Sequence, residues 1–237
     1  MPPSSVRHSK THVIITIDGP AGVGKSTVAK LLARRLKLGY LDTGATYRAL
    51  AYRALSLGLD PRDETRMARL AAELRLVCKR MDWGRVRMLL NGCDVTRRIR
   101  TEAVTEAAAI VAQHPRVRVV LVRLQRRLVR SRRLVVEGRD TGTVVFPRAP
   151  YKFFLTAGAR VRARRRRMEL QDVQGRSPSV SAITGQLRSR DRLDRRRRVG
   201  PLAKPPGAVV VNTSRLLAHE VVARMLRHLP VASSNSH

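Results

Sequence analysis

The sequence predicts an α/β fold: a parallel β-sheet flanked by helices, with one insertion and one helical flap interrupting the alternation. Three observations carry this. Short β-branched runs recur along the 237 residues without polar alternation, as buried parallel strands do. Stretches with apolar residues at helical spacing separate them. A glycine-rich turn joins the first such strand to the first such helix.

His12–Asp18 (HVIITID) is the first strand, and Ser26–Leu38 follows with Val28, Leu31, Leu32 and Leu36 at a helical period. Tyr40–Asp42 predicts a second short strand and Tyr47–Leu57 a second helix. Leu134–Val136, Tyr151–Leu155 and Ala208–Val211 predict further strands, and Leu216–Leu229 a closing helix. Two stretches break this alternation. Between about 60 and 110, Leu74–Lys79 and Val86–Leu90 are joined through Met81-Asp-Trp-Gly84, which predicts a hairpin. Between about 158 and 200 stand 14 arginines, no lysine and four acids, a net of +10, where an ordinary surface helix mixes signs. The expected organisation is one domain over 12–229, with core segments 12–60, 110–158 and 200–229. The polar ends, 1–11 and 230–237, are expected to be disordered tails.

The composition narrows the function classes. An apolar share of 43% argues for a folded chain, and no apolar run approaches the roughly 20 residues of a membrane span. The start lacks an apolar core followed by a cleavage site, so it does not read as a signal peptide. Cys78 and Cys93 are too few for a disulfide framework, and the six histidines are scattered. A reducing cytoplasm fits these features. The balance of 49 basic against 17 acidic residues gives +32, with 42 arginines to 7 lysines. Such a field attracts polyphosphates and allows a nucleic-acid partner, although aromatics able to stack bases make up only 3% of the chain.

Gly19-Pro20-Ala21-Gly22-Val23-Gly24-Lys25-Ser26-Thr27 matches G-x-x-x-x-G-K-[ST] between a strand and a helix. Glycines at 19, 22 and 24 let the backbone curl so that its N–H groups face phosphate oxygens, and the helix N-terminus adds partial positive charge. Lys25 is expected at the β- and γ-phosphates and the Ser26 hydroxyl at Mg²⁺. The chain has no Asn-Lys-x-Asp stretch for guanine and no apolar run ending in Asp-Glu. It offers arginines instead, which a phosphoryl-transfer enzyme uses to bind an acceptor phosphate and to neutralise the transferring group.

Three long motifs then resemble the bacterial cytidylate kinases: Ile17–Thr27, Tyr40-Leu-Asp-Thr-Gly-Ala-Thr-Tyr-Arg48, and Glu137-Gly-Arg-Asp-Thr-Gly-Thr-Val-Val-Phe-Pro147. Arg190-Asp191, Asp194 and Pro201-Leu202 fit the same pattern, so the resemblance spans roughly residues 12 to 229. It implies a nucleoside monophosphate kinase fold with a monophosphate-binding insertion (about 60–110) and a mobile lid (about 158–200). It also implies ATP as donor, Mg²⁺, CMP or dCMP as acceptor, a place in pyrimidine metabolism, and a monomer.

Carried over by position, the resemblance puts Thr43, Arg48, Arg100, Arg118, Glu137, Arg139, Asp140, Arg190, Asp194 and Arg197 at the substrates. Arg48, Arg100, Arg118 and Arg139 are expected to anchor the acceptor's phosphate. Lys25, Arg139, Asp140, Arg190 and Arg197 are the expected catalytic set. Asp140 is expected to read the cytosine amino group, where uracil offers an acceptor, or to position the acceptor. Arg190, Asp194 and Arg197 fall at i, i+4 and i+7, so one helix face would bring both arginines over the phosphates. Tyr47 beside Arg48 reads equally well as packing. Two other readings stay open: a kinase for UMP, AMP or a metabolite, and a basic nucleic-acid-binding ATPase.

Overall fold

The computed structural model describes residues 13–80, 86–129, 133–174 and 178–230. The expected tail at 1–11, most of that at 230–237 and the hairpin turn at Met81–Gly84 lie outside the described residues.

Five strands form a parallel sheet: β1 (Ile14–Asp18), β2 (Gly39–Asp42), β6 (Leu134–Gly138), β7 (Tyr151–Thr156) and β8 (Val209–Asn212). Their order is β2-β6-β1-β7-β8, and every neighbouring pair is parallel. Successive side chains of a strand point to opposite faces, and both faces here are buried. Val135 of β6 packs with Ile15, Ile17 and Phe153 beneath α1 (Lys25–Arg35) and α8 (Ala218–Leu226). Its neighbours Leu134 and Val136 face the other way, onto Val122 and Val129 of α5 (Pro115–Val129). The unbroken apolar runs read from the sequence are this double burial.

The second helix, α2 (Thr43–Ser56), starts four residues earlier than Tyr47. Asp42 ends β2 and caps α2 at once, its Oδ1 accepting from the Ala45 N–H at 3.1 Å, so no loop intervenes. The hairpin expected after residue 60 is present as β3 (Leu76–Arg80) paired antiparallel with β4 (Val86–Leu90), and a short β5 (Cys93–Asp94) completes a second sheet. α3 (Glu64–Glu73) precedes it, while a 3₁₀ turn at Arg98–Arg100 and α4 (Glu102–Val111) follow. The arginine-rich stretch is a helical hairpin, α6 (Ala159–Gln174) against α7 (Val180–Arg196). Its small apolar seam joins Ala163, Ile183 and Leu187 to Ala21 of the glycine-rich loop. No helix among the described residues is long and apolar enough to cross a membrane.

Candidate active site

The C-terminal ends of β1, β2 and β6 open into one cleft, a cavity of about 280 Å³, which is where open parallel sheets bind ligands. The strand register sets the row of side chains at its floor, with Asp18 beside Gly138 and Asp42 beside Glu137. From the Gly19–Thr27 loop, Ala21, Gly22, Gly24, Lys25, Ser26 and Thr27 line it. Gly19, Pro20 and Val23, expected at the triphosphate with them, stand behind the lining. There the Pro20 carbonyl accepts from Lys25 Nζ at 2.7 Å, and the Val23 carbonyl accepts from Thr213 Oγ1 at 3.0 Å. Gly24 takes a left-handed conformation (φ 89°) at the start of α1, and no side chain caps that helix. Its first N–H groups therefore remain for an anion.

Lys25 is buried, and burial followed by the Arg139 charge pushes its ammonium down to about 7, while Glu137 pulls the other way. Glu137 is buried too. Burial, then Asp42, raises its pKa against the pull of Lys25 and of hydrogen bonds from Ser26 and Tyr40. The Tyr40 hydroxyl donates to it at 2.5 Å. Glu137 thus lies beside Asp42 in the register and near Lys25 and Ser26 of the glycine-rich loop.

Opposite the loop stand Arg48, Arg100, Arg139 and Arg190. Asp42 Oδ2 accepts from Arg48 Nη2 at 2.6 Å, so the capping aspartate also aims an arginine. Burial alone would raise Asp42, but the Arg48 and Arg100 charges outweigh it and hold the carboxyl below its ordinary value. Burial, then Arg139, lowers Arg190 to about 10. The buried Nε groups of Arg48 and Arg190 have no hydrogen-bond partner, which is costly until an oxyanion arrives. Thr43 also lines the cleft, but its hydroxyl donates to the Glu137 carbonyl at 2.8 Å and so ties β2 to β6.

Two expectations for the arginines change. Arg118 was expected to hold phosphate, yet its Nη2 is paired with Asp140 Oδ2 and its guanidinium carbon lies 5.6 Å from the Tyr47 ring centroid. Its Nε and Nη1 are buried without partners. Arg197 was expected over the phosphates with Arg190 on one helical face. It lies instead one residue past α7, donating to Asp194 Oδ1 at 2.7 Å and carrying its charge toward Asp140 and Tyr47. The helix ends at Arg196, and Arg197 lines the same cleft as Arg190. Asp194 joins core to flap, since its Oδ2 accepts from Arg139 Nε at 2.9 Å. Burial raises the Asp140 pKa against the pull of Arg118 and Arg197. Gly200, at φ +61°, lies against this pair, and a Cβ there would collide with both Arg118 and Asp140.

Sequence reasoning gave no role to six contributors. Asp42 read only as a strand end. Arg166 and Glu169, ion-paired at 2.8 Å on α6, also line the cleft, hidden in an arginine run with no periodic signal. Asp18 is fully buried and accepts from the Thr141 N–H and Oγ1 (both 2.8 Å) and the Gly142 N–H (2.7 Å), fixing the turn after Asp140. A charged residue ending a β-branched strand was its one available signal. Asp191 and Arg162 hold the phosphate loop from outside the cleft: Ala21 N–H donates to Asp191 Oδ1 at 3.3 Å, and Arg162 Nη1 donates to the Ala21 carbonyl at 3.1 Å.

A phosphate loop, flanking arginines and a bridging flap are the parts of a P-loop phosphotransferase. Comparison with known proteins agrees. The "Cytidylate kinase" family model matches residues 15–230. The cytidylate kinase of Geobacillus kaustophilus is 45% identical over 92% of this chain and 96% of its own. That of Methylococcus capsulatus is 46% identical over 88% and 93%. A solved structure of an uncharacterised protein from Eubacterium ventriosum aligns over 92% of this chain and 98% of its own, with a TM-score of 0.50 at 9% identity, a likeness of fold alone. The chain belongs to the cytidylate kinase family.

Proposed function

We propose that the cleft carries out ATP-dependent phosphorylation of CMP or dCMP, with donor and acceptor at opposite ends. The observation that carries this reading is the single cavity that joins Lys25 and Ser26 to Asp140 and Arg197 by way of Arg48, Arg139 and Arg190. The loop and the uncapped start of α1 hold the β- and γ-phosphates, and Lys25 leaves its Pro20 carbonyl to meet them. Arg48, Arg100 and Arg139 take the acceptor's phosphate. An oxygen of that phosphate attacks the γ-phosphorus, and the bond to the bridging β–γ oxygen breaks, leaving ADP. The nucleophile is already an anion, so no general base is needed; positioning and charge supply the rate. Arg190 and Arg166 lie against the group in transit.

The base end is Tyr47, Asp140, Arg118 and Arg197. Cytosine offers an N4 amino donor beside ring acceptors; the Asp140 carboxylate accepts the first, and the unpartnered Arg118 N–H groups meet the second. Uracil would set a carbonyl against the carboxylate. The stretch with the second sheet serves as the monophosphate-binding insertion, and the α6–α7 hairpin as the lid, whose closure excludes water from the transfer.

The residues present also suit Mg²⁺. The Ser26 hydroxyl and the Glu137 carboxylate are hydrogen-bonded neighbours, and two hard oxygen donors plus substrate phosphates are what this ion takes. Held by these residues, it would offset the negative charge of the donor phosphates. A monomer in a reducing cytoplasm completes the reading; Cys78 and Cys93 as free thiols suit such a compartment. Coupled ADP release with CMP, dCMP, UMP and AMP tests the acceptor. A preference for CMP or dCMP is expected, and a preference for UMP or AMP would defeat the base assignment.

A further inference from the structure

The lid sorts its charges by side. Its acids with described side chains are Glu169, Asp191 and Asp194, and each is paired with arginine: Arg166, Arg162, and Arg139 with Arg197. Asp191 and Asp194 are buried. The opposite side of the hairpin carries a row of arginines outside these pairs. Arg160 and Arg164 of α6 and Arg188, Arg192, Arg195 and Arg196 of α7 are exposed, and none has a carboxylate partner among the described residues.

These arginines are ordered along the surface. Arg160 and Arg164 are one helical turn apart, as are Arg188 and Arg192, and Arg195 and Arg196 continue the second row. The rows meet, because Arg160, Arg164 and Arg188 line one groove of about 550 Å³ together with Ser181 and Thr184. Arg188 continues into a second groove of about 360 Å³ with Arg192, Arg195 and Arg196, where the Arg162–Asp191 pair, its charges already matched, forms part of the wall. The result is a basic track roughly 12 Å or more in length along α7, by helical rise. Like charges at this density repel, and the cheapest relief is a polyanion whose own counterions are released.

We propose that this outer lid face binds the phosphodiester backbone of duplex DNA, independently of sequence. Residues 158–200 contain no Phe, Trp or Tyr, so the face has no platform for stacking unpaired bases. What remains is charge, serine and threonine hydroxyls, and guanidinium forks, which suit backbone phosphates. A duplex presents the densest line of those, one charge per about 1.7 Å of axis. The face points away from the cleft, so the binding adds to phosphoryl transfer and does not replace it.

The test uses the full chain and a fluorescently labelled duplex of about 20 base pairs, with anisotropy read across a salt series; non-specific dissociation constants of about 10⁻⁶ to 10⁻⁴ M are the expected range. A variant carrying Arg160→Gln, Arg164→Gln, Arg188→Gln and Arg192→Gln is expected to weaken binding and to flatten the slope of log affinity against log salt by about 3 to 4, at roughly 0.9 per lost phosphate contact. CMP turnover should stay at the wild-type level. A control with equal charge loss on α1 and α8 (Arg34, Arg35, Arg224 and Arg227, each to Gln) should keep at least most of the slope. Equal loss in both variants would show net charge acting without a local surface and would overturn the proposal. So would absence of duplex binding, tighter binding of single-stranded DNA, or capture by anionic vesicles in preference to the duplex.

Discussion

Asp191 and Arg162 close on one residue of the phosphate loop from two different helices. Both carboxylate oxygens are engaged, Oδ1 by the Ala21 N–H at 3.3 Å and Oδ2 by Arg162 Nη1 at 2.5 Å, and the same Nη1 reaches the Ala21 carbonyl. Next to them, Gly22 at φ +77° passes so near Arg162 that a Cβ would crowd its backbone. The base of the lid is therefore fastened to the loop that cradles the donor phosphates. Asp191→Asn keeps the shape and removes the charge. It is expected to raise KM for ATP about tenfold with little change in KM for CMP, the size of one charge-assisted hydrogen bond. Steady-state kinetics with each substrate varied in turn checks this, and a rise confined to CMP would contradict it.

Lys25 gives a pH signature. Its folded value is about 7, below the ordinary 10.5, so between those limits the unfolded chain carries a proton that the free folded protein lacks. The free protein should then gain stability from this group as pH rises through that window. Nucleotide phosphates restore the proton, so binding at about pH 8 should take one up. Titration calorimetry in two buffers of different ionisation enthalpy reads that uptake. Lys25→Met should abolish it along with turnover, and identical heats in both buffers for the wild type would argue against a depressed lysine.

Asp140 should set the choice of base. Asp140→Asn keeps the size while exchanging an acceptor for a mixed donor and acceptor. Discrimination of CMP over UMP in kcat/KM is expected to fall about ten- to a hundredfold, the 1–3 kcal/mol of a good polar base contact. Unchanged discrimination would move base reading elsewhere.

Gly200→Ala attacks the same pair through sterics. It adds a Cβ at a left-handed position and onto Arg118 and Asp140, so both melting temperature and CMP affinity should drop. A normal melting temperature with normal CMP kinetics would show that the Arg118–Asp140 geometry has room to shift.

Asp42 joins a helix cap to an arginine. Asp42→Ala should lower stability by about 1 kcal/mol or more through the cap, and raise KM for CMP as Arg48 loses its anchor. The carboxyl sits below its ordinary 3.8, so its stabilisation is complete above that pH and fades as pH falls through the lower folded value. Acid unfolding of wild type and variant should therefore converge at low pH. A constant gap between the two curves would contradict the assignment.

Much of the site was legible because its chemistry is local. The residues from Gly19 to Thr27 lie on consecutive bonds between a strand and a helix, so spacing alone places the amides around an anion. Arg48 and Arg139 follow strands β2 and β6 in the sequence, and both line the cleft. The carboxylate partners of Arg118 and Arg197 were not legible, because 42 arginines give no sign of which carboxylate each will meet. Arg118 needed Asp140 brought 22 residues across the turn, and Arg197 needed α7 to stop one residue short of it. The clamp on Ala21 joins residues separated by 170 positions, beyond any period or motif.

The sequence by itself determined the β-to-α phosphate loop, the parallel sheet and the two interruptions, since these rest on near-neighbour spacing and on apolar runs that must be buried on both faces. Only the tertiary structure decided which carboxylate each arginine meets, which arginines line the cleft, and which stay on the outer lid without a carboxylate partner among the described residues. Ion pairing depends on distance through space, and distance through space is set by how the strands and helices pack.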